Sequence, residues 1–590
     1  MEENVNLKRS WIEKAAKLAL STALVAGLAS CTGNYVASDS SEMLSVETNV
    51  LKSSSSTSSD KSGVMLQGFN WSSASSSKDW YRTMLAKSGD IKDNFAYVWF
   101  PPPSMSASNE GYLPTQLNNL NSNYGSETEL KNVIASIKPA KAIADIVINH
   151  RCGTTDWGDF TNPKWNADFY SICRDDEGFS GSAKMSASGN RGNYDTGEGY
   201  SAGRDIDHTN YDVQNGIVSW MNNVLKKAGF VGWRYDFVKG YSGYYVGKYN
   251  SETNAEFSVG EYWPSAGFSP NNSYAWSSEI MNWINSTSNG GYKTRAFDFV
   301  LKGNLNYAFG YKGNEWCWDM TRLADSNNIF RRDPSHAVTF VDNHDTGSTQ
   351  GHWPMDEGDI GPAYAFILTH PGYPCVAWQH YFTGNGSQYI GGKNVSGTSN
   401  TTKQHIDKLI SLRKENGICY DSAIQVLYSS TNLYAAKITG TKGNLIVKIG
   451  GQNYNPSDSS YKVVYSGTNF CVWSNLGGGS GTGSGTGSGS GGEITTTKVT
   501  LSAKYNVGMN NAIYFTGTFD EGKTWSNAVR GKWTSGNVWT VTVNAPSSGN
   551  FEWKVLKGSY NKGATTSTSG LTWESGSNHN QNTKYITPSF

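Results

Sequence analysis

Residues 229–240 read "GFVGWRYDFVKG", and this stretch decides the fold because its charges sit inside an otherwise apolar run. Side chains alternate across a strand, so Trp233, Tyr235 and Phe237 share one face while Arg234 and Asp236 share the other. Burying a cation beside a carboxylate is costly unless each satisfies the other. Taken alone, the pair reads equally well as a structural ion pair at the end of a core strand or as part of a reaction centre.

Seven further runs of the same character flank it. They are "VMLQGFNW" (64–71), "FAYVWF" (95–100), "AIADIVINH" (142–150), "FSVGEYW" (257–263), "RAFDFVL" (295–301), "AVTFVDNHD" (337–345) and "CVAWQHYF" (375–382). Apolar strands separated by helix-length segments indicate a parallel sheet, and eight of them predict an α/β fold, a closed (β/α)8 TIM barrel. In such a barrel the polar residues at strand C-terminal ends face the reaction site. Here those ends carry Asn149 and His150, Asp236, Glu261, and His344 with Asp345. Their recurrence at one end of successive strands favours the reaction centre.

The barrel is expected over 63–404. Residues 151–209, rich in Gly, Asp and aromatics, are too long for one crossover and read as an inserted loop domain. A helix through "HIDKLISLRKENG" (405–417), followed by "NLYAAKI" (432–438) and "GNLIVKIG" (443–450), predicts a small antiparallel β domain over 405–476. The run "GGGSGTGSGTGSGSGG" (477–492) is a flexible linker. Residues 493–590 then alternate as strands: Trp539, Val541 and Val543 on one face, and Phe551, Trp553 and Val555 on another, predict a β-sandwich core.

Composition narrows the function classes. At 590 residues the chain needs more than one core. Lys plus Arg and Asp plus Glu both number 49, so no charge excess points to nucleic acid or to a charged partner. Aromatic residues reach 13%, with 21 Trp, and aromatic faces cover the C–H faces of sugars.

"DIVINH" (145–150), "GWRYDFVKG" (232–240), "GEYW" (260–263) and "FVDNHD" (340–345), in that order, resemble the four signature regions of the α-amylase family of glycoside hydrolases. The similarity is to the plant-type α-amylases and runs over 63–476. It includes "QGFNW", "WFPPPS", "EGYLP", "KAIADIVINHR", "ICRDD", "DIDH" and "HPGYPCV". The resemblance implies that Asp236 is the nucleophile, Glu261 the general acid/base and Asp345 the transition-state stabiliser. It implies substrate contacts from Tyr112, His150, Arg234, His344 and, on the leaving-group side, Lys239. It also implies a Ca2+ site with side-chain ligands Asn149, Asp195 and Asp205 and the backbone carbonyls of Glu198 and Gly240. Oxygen ligands from scattered loops suit that hard cation. Glu198 and Arg204 stand where the plant proteins usually have small or proline residues. The expected function is endo-hydrolysis of internal α-1,4 bonds of starch and related glucans with retention, by a monomer. A transglycosylase and a non-catalytic starch-binding surface protein are the alternatives.

The C-terminal segment resembles the starch-binding modules of fungal glucoamylases through "FEWK" and "TWESGSN", which implies a sugar platform of Trp525, Lys554 and Trp573. At the other end, Lys8, Arg9 and Lys14 precede the apolar run "LALSTALVAGLAS", too short to span a bilayer. It closes in "LASC" (28–31), which resembles the lipobox of bacterial lipoproteins. Residues 1–31 are therefore expected to be a lipoprotein-type signal peptide with Cys31 lipidated, and 32–62 a disordered Ser-rich tether. The protein is expected to be exported, held at a membrane only through that anchor, or otherwise secreted. Export permits disulfides among the six remaining cysteines, which sequence does not pair.

Overall fold

Eight parallel strands close a barrel: β1 Met65–Gln67, β2 Tyr97–Trp99, β3 Lys141–Ile146, β4 Phe230–Tyr235, β5 Phe257–Gly260, β6 Arg295–Phe297, β7 Ala337–Phe340 and β8 Tyr373–Ala377. Each pairs with its neighbours in sequence, and β1 closes the ring on β8 with Met65 opposite Cys375. The principal helices alternate with them: α1 Trp80–Ala86, α2 Glu127–Ser136, α3 Tyr211–Trp220, α4 Gly243–Glu252, α5 Ser273–Ser288, α6 Phe299–Phe309, α7 Ile360–Thr369 and α8 Thr401–Asn416. The computed structural model describes residues 61–476 and 498–590, apart from 154–156, 166–168, 181–190, 313–314, 348–349, 383–387, 391–392, 396–400, 509, 520–524, 546–549, 563–564, 582 and 584. The signal peptide with Cys31, the tether up to residue 60 and the linker lie outside the described residues.

All eight expected runs overlap a barrel strand, and most outlast it. β4 stops at Tyr235 and β5 at Gly260, so Asp236 and Glu261 each sit one residue past a strand end. The sixth run turns after Phe297, where Asp298 accepts from Leu301 N and caps α6. The eighth begins earlier than expected, at Tyr373, and Trp378–Tyr381 form a short helix. The alternation read from β4 holds for Trp233, Arg234 and Tyr235, whereas Phe237 lies past the strand end and packs against Tyr200, ring centroids 5.3 Å apart. Trp233 donates from Nε1 to Thr253 Oγ1 and Tyr235 from Oη to Asn250, both towards the α4 side, while Arg234 faces the barrel interior. Local signals start the helices where the chain leaves the barrel. Ser126 and Glu129 form a reciprocal capping box on α2, and Ser242 caps α4.

The excursion opens and closes on an antiparallel pair, His150–Arg151 against Arg204–Asp205. The helix expected over 405–417 is α8, packed on α7. After it comes a five-stranded antiparallel sheet of Ile424–Ser430, Leu433–Thr439, Asn444–Ile449, Phe470–Ser474 and Lys462–Gly467, in that spatial order. Its inner face, including Ala436, Leu445 and Val472, continues the buried core of the barrel. Cys152, Cys173, Cys375, Cys419 and Cys471 are free thiols, the first four buried. Among the described residues no helix is long and apolar enough to cross a membrane.

The described residues from 498 to 590 form a separate compact unit. One sheet holds Lys532–Thr534, Val538–Asn544, Lys498–Lys504 and Tyr585–Ile586. The other is built on Asn511–Gly517 and Glu552–Ser559. Trp539, Val541, Val543, Phe551, Trp553 and Val555 are all buried in the core, as their alternation predicts.

Candidate active site

At the C-terminal ends of β3, β4 and β5 one guanidinium gathers three carboxylates. Arg234 is fully buried. Its Nη1 donates to Asp236 Oδ1 at 2.7 Å and to Asp145 Oδ1 at 2.8 Å. Its Nη2 lies 2.7 Å from Glu261 Oε2 as an ion pair, not aligned for a hydrogen bond. The barrel register sets this up, because Arg234 pairs with Asp145 across β3 and with Val259 across β5. The guanidinium also lies over the Trp99 ring, 4.8 Å from its centroid. Phe237, next after Asp236, has φ 41°, a left-handed conformation rare outside glycine, and turns the chain sharply out of β4.

One buried cation cannot neutralise four carboxyl groups. Burial, opposed by Arg234 and reinforced by Asp236, Asp345 and Asp145, drives Glu261 well above the usual carboxylate range. Burial likewise raises Asp345 to about 7 and Asp145 to about 6. Shared burial around one cation therefore favours the protonated form of these carboxyls, Glu261 among them.

An aromatic wall adjoins this centre. Tyr112 Oη donates to Asp145 Oδ2 at 2.9 Å and lies 2.9 Å from His344 Nε2, and the two rings stack at 5.5 Å. His344 Nδ1 meets Gln67 Nε2 at 2.9 Å, and Trp71 stacks on both Tyr112 and His344. Burial and the Arg234 charge hold His344 well below its usual pKa, so the imidazole is neutral. His150 Nε2 contacts the Tyr112 carbonyl at 2.8 Å, and its ring stacks on Tyr200 at 4.1 Å. Lys239 stands apart from this wall, donating to Ser265 Oγ at 2.6 Å and pairing with Glu198 at 3.2 Å.

The expected cation ligands converge behind the Asp236 strand end. Asn149 Nδ2 is 3.3 Å from Asp205 Oδ1, while Asn149 Oδ1 and Asp195 Oδ2 are buried without a hydrogen-bond partner. A Cβ on Gly240 would come within 1.8 Å of Asn149 Oδ1. The loop of Glu198 lies against the Gly240 segment, with Glu198 N donating to the Lys239 carbonyl at 2.9 Å. Burial raises Asp205 to about 8 and Asp195 to about 6, so these carboxylates lack a counter-charge. Unpartnered buried oxygens and an oxygen-only donor set fit a hard divalent cation. Beside them, Asp176, Glu177 and Asp205 bring carboxylate oxygens within 4.8 Å of one another. Arg204 neutralises the first two, at 3.2 and 2.8 Å.

In the C-terminal unit Trp525 and Trp573 come together, ring centroids 6.2 Å apart, with Trp573 40% exposed. Lys554 Nζ donates to the carbonyls of Glu574 and Gly576, which ties down the turn that follows Trp573. Sequence reasoning missed Asp145, Gln67, Trp71 and Tyr200. A carboxylate inside "AIADIVINH" and an amide inside "VMLQGF" were the available signals for the first two.

The family model described as "Alpha amylase, catalytic domain" matches residues 94–377, and that described as "Alpha-amylase C-terminal beta-sheet domain" matches 415–474. The chain is 38% identical over 422 residues to Probable alpha-amylase 2 of Arabidopsis thaliana, covering 70% of this chain and 93% of that protein. It is 27% identical over 562 residues to Glucan 1,4-alpha-maltotetraohydrolase of Stutzerimonas stutzeri, covering 89% and 91% respectively. The solved structure of Gamma-CGTase from alkalophilic Bacillus clarkii shares the fold, with a TM-score of 0.51 at 14% identity over 90% of this chain and 99% of that one. The signature motifs, the closed barrel that carries them and these matches agree that the chain belongs to the α-amylase family of glycoside hydrolases.

Proposed function

We propose that the protein is an endo-acting α-amylase that hydrolyses internal α-1,4 bonds of starch and related glucans with retention of configuration. The observation that carries this is the sharing of Arg234 between Asp236 and Glu261. Two carboxyls on one guanidinium favour the close spacing of retaining enzymes, about 5–5.5 Å, over the wider gap that inverting enzymes leave for water. Asp236 attacks the anomeric carbon as the C–O bond breaks, and Glu261 gives its proton to the leaving oxygen. Glu261, now a carboxylate, then takes a proton from the water that cleaves the glycosyl ester. Asp345, His344, Tyr112 and His150 hold the sugar whose bond is cut, and Lys239 stands towards the leaving group.

Digestion of soluble starch, following product size and anomeric form, tests this reading. Short products with the α-configuration are expected. Products of inverted configuration would overturn retention, and chains longer than the substrate would indicate transfer. Asp236→Asn should abolish turnover, and Glu261→Gln should be similarly inactive on starch.

Asn149, Asp195 and Asp205, with the carbonyls of Glu198 and Gly240, would hold a calcium ion. Bound there, it supplies the positive charge these carboxylates lack and ties the excursion to the β4 end. The Trp525–Trp573 pair supports a starch-binding role for the C-terminal unit. The "LASC" box supports lipidation at Cys31, and a Cys31→Ser variant that stayed in the membrane fraction would overturn that anchor.

A further inference from the structure

Behind the turn that carries Asp345 lies an ion pair that takes no part in the carboxylate centre. Lys302, near the start of α6, and Asp342, two residues past β7, have fully buried side chains, and Lys302 Nζ donates to Asp342 Oδ1 at 2.7 Å. The Trp353 ring covers the ammonium, its centroid 5.7 Å from Nζ. Taking two charges out of water is costly, and apolar residues of similar volume in place of such a pair are often no less stable. Stability alone therefore does not account for Lys302 and Asp342.

The hydrogen bonds on Asp342 show what it holds. Its Oδ1 also accepts from Thr346 Oγ1 at 3.0 Å, and its Oδ2 accepts from Met355 N at 3.0 Å. One carboxylate thus ties the start of the turn to its end and to the returning chain. Thr346 Oγ1 in turn accepts from Asn343 N at 3.0 Å, while Asn343 Oδ1 accepts from Asp345 N at 3.0 Å and Thr346 N at 2.8 Å. From α6, Lys302 Nζ also donates to Asn306 Oδ1 at 2.8 Å, and Asn306 Nδ2 donates to the carbonyls of Trp353 and Pro354 at 3.3 and 3.2 Å. Lys302 and Asn306 are one helical turn apart, so α6 grips the chain both before and after Asp345.

Within this turn the side chains divide. Asp342 is bonded to α6 and to the returning chain, whereas His344 meets Gln67 and Tyr112 in the aromatic wall and lies 3.3 Å from Asp345 Oδ2. We propose that Lys302 and Asp342 are positioning residues that fix the turn 343–346 and so hold Asp345 where the glycosyl transition state needs it. Neither touches the substrate. A charged group stabilises a transition state only if it is already in place, and a displacement of about 1 Å can cost about a hundredfold in rate. This rests on the reading of the centre as an α-glucan hydrolase in which Asp345 is the stabiliser.

The test measures kcat, KM and Tm on soluble starch for the full chain and three variants. Lys302→Met/Asp342→Asn removes both buried charges together, so neither is left unpaired. Thr346→Val removes only the hydroxyl through which Asp342 grips the turn, and Thr346→Ser keeps it. The double variant and Thr346→Val should each lose about tenfold to a hundredfold in kcat with KM within about threefold of wild type, the pattern of a contact made in the transition state. Thr346→Ser should keep kcat within about threefold. If the double variant fails to fold, the valine and serine variants decide between them. Folded variants that melt lower but keep the wild-type kcat, or that change KM alone, overturn the positioning role and leave the pair structural. A wild-type protein that does not hydrolyse starch overturns the hydrolase reading, and this inference with it.

Discussion

Arg234 Nη2 lies 2.7 Å from Glu261 Oε2, so the proposed acid is gripped by the same buried cation that holds Asp236. A lysine at this position would keep the charge but could not reach three carboxylates in a fixed fork. Arg234→Lys should therefore lower kcat on soluble starch by about a hundredfold or more, because both reacting carboxyls lose their placement. A folded variant within about threefold of wild type would show that the fork is not needed.

The pH profile should report Glu261. Its pKa is raised well above the usual carboxylate value, first by burial and then by neighbouring negative charge against the pull of Arg234. The acid works only while protonated, so activity is kept as pH rises past about 4.3, the ordinary Glu value, and is lost as pH passes the raised one. The alkaline limb of kcat/KM should accordingly lie well above the carboxylate range. A limb already falling near pH 5 would assign that proton elsewhere.

Gly240 and Asn149 should report the cation. Chelation is expected to lower Tm and calcium to restore it, since a ligand held at one hundred times its Kd stabilises the folded state by about 2.7 kcal/mol. Gly240→Ala would push a methyl group into Asn149 Oδ1. Its Tm should respond little to calcium, which thermal melts with and without chelator would reveal. A calcium response equal to wild type would place the ion elsewhere.

Trp525 and Trp573 should separate granule binding from catalysis. Truncating an aromatic anchor costs on the order of 2 kcal/mol, roughly thirtyfold in affinity. The double alanine variant should adsorb poorly to granular starch yet cleave dissolved starch at about the wild-type rate, because a tethered module raises local concentration only at a surface. Circular dichroism must show the unit folded. Unchanged adsorption by a folded variant would remove these rings from the platform.

Much of the barrel was legible because period-2 apolar runs are local, and burial on both faces leaves a near-continuous apolar record. The strand ends were less so. Asp236 and Glu261 belong to their runs by hydropathy, but the ladder stops one residue before each of them, where the chain turns into the site. In the eighth run, Trp378–Tyr381 look like strand and form a helix, because buried apolar residues of either kind carry the same pattern.

By itself the sequence determined the fold class, the order of the motifs and the residue types at the strand ends, since alternation and spacing are properties of the chain. The tertiary structure alone decided how the carboxylates divide one cation. Asp145 and Arg234 are 89 residues apart, and Glu261 reaches the same guanidinium from a third strand. Barrel closure removes water from all of them at once, and it is this shared desolvation, with too little positive charge to offset it, that raises Glu261 well above the usual carboxylate range.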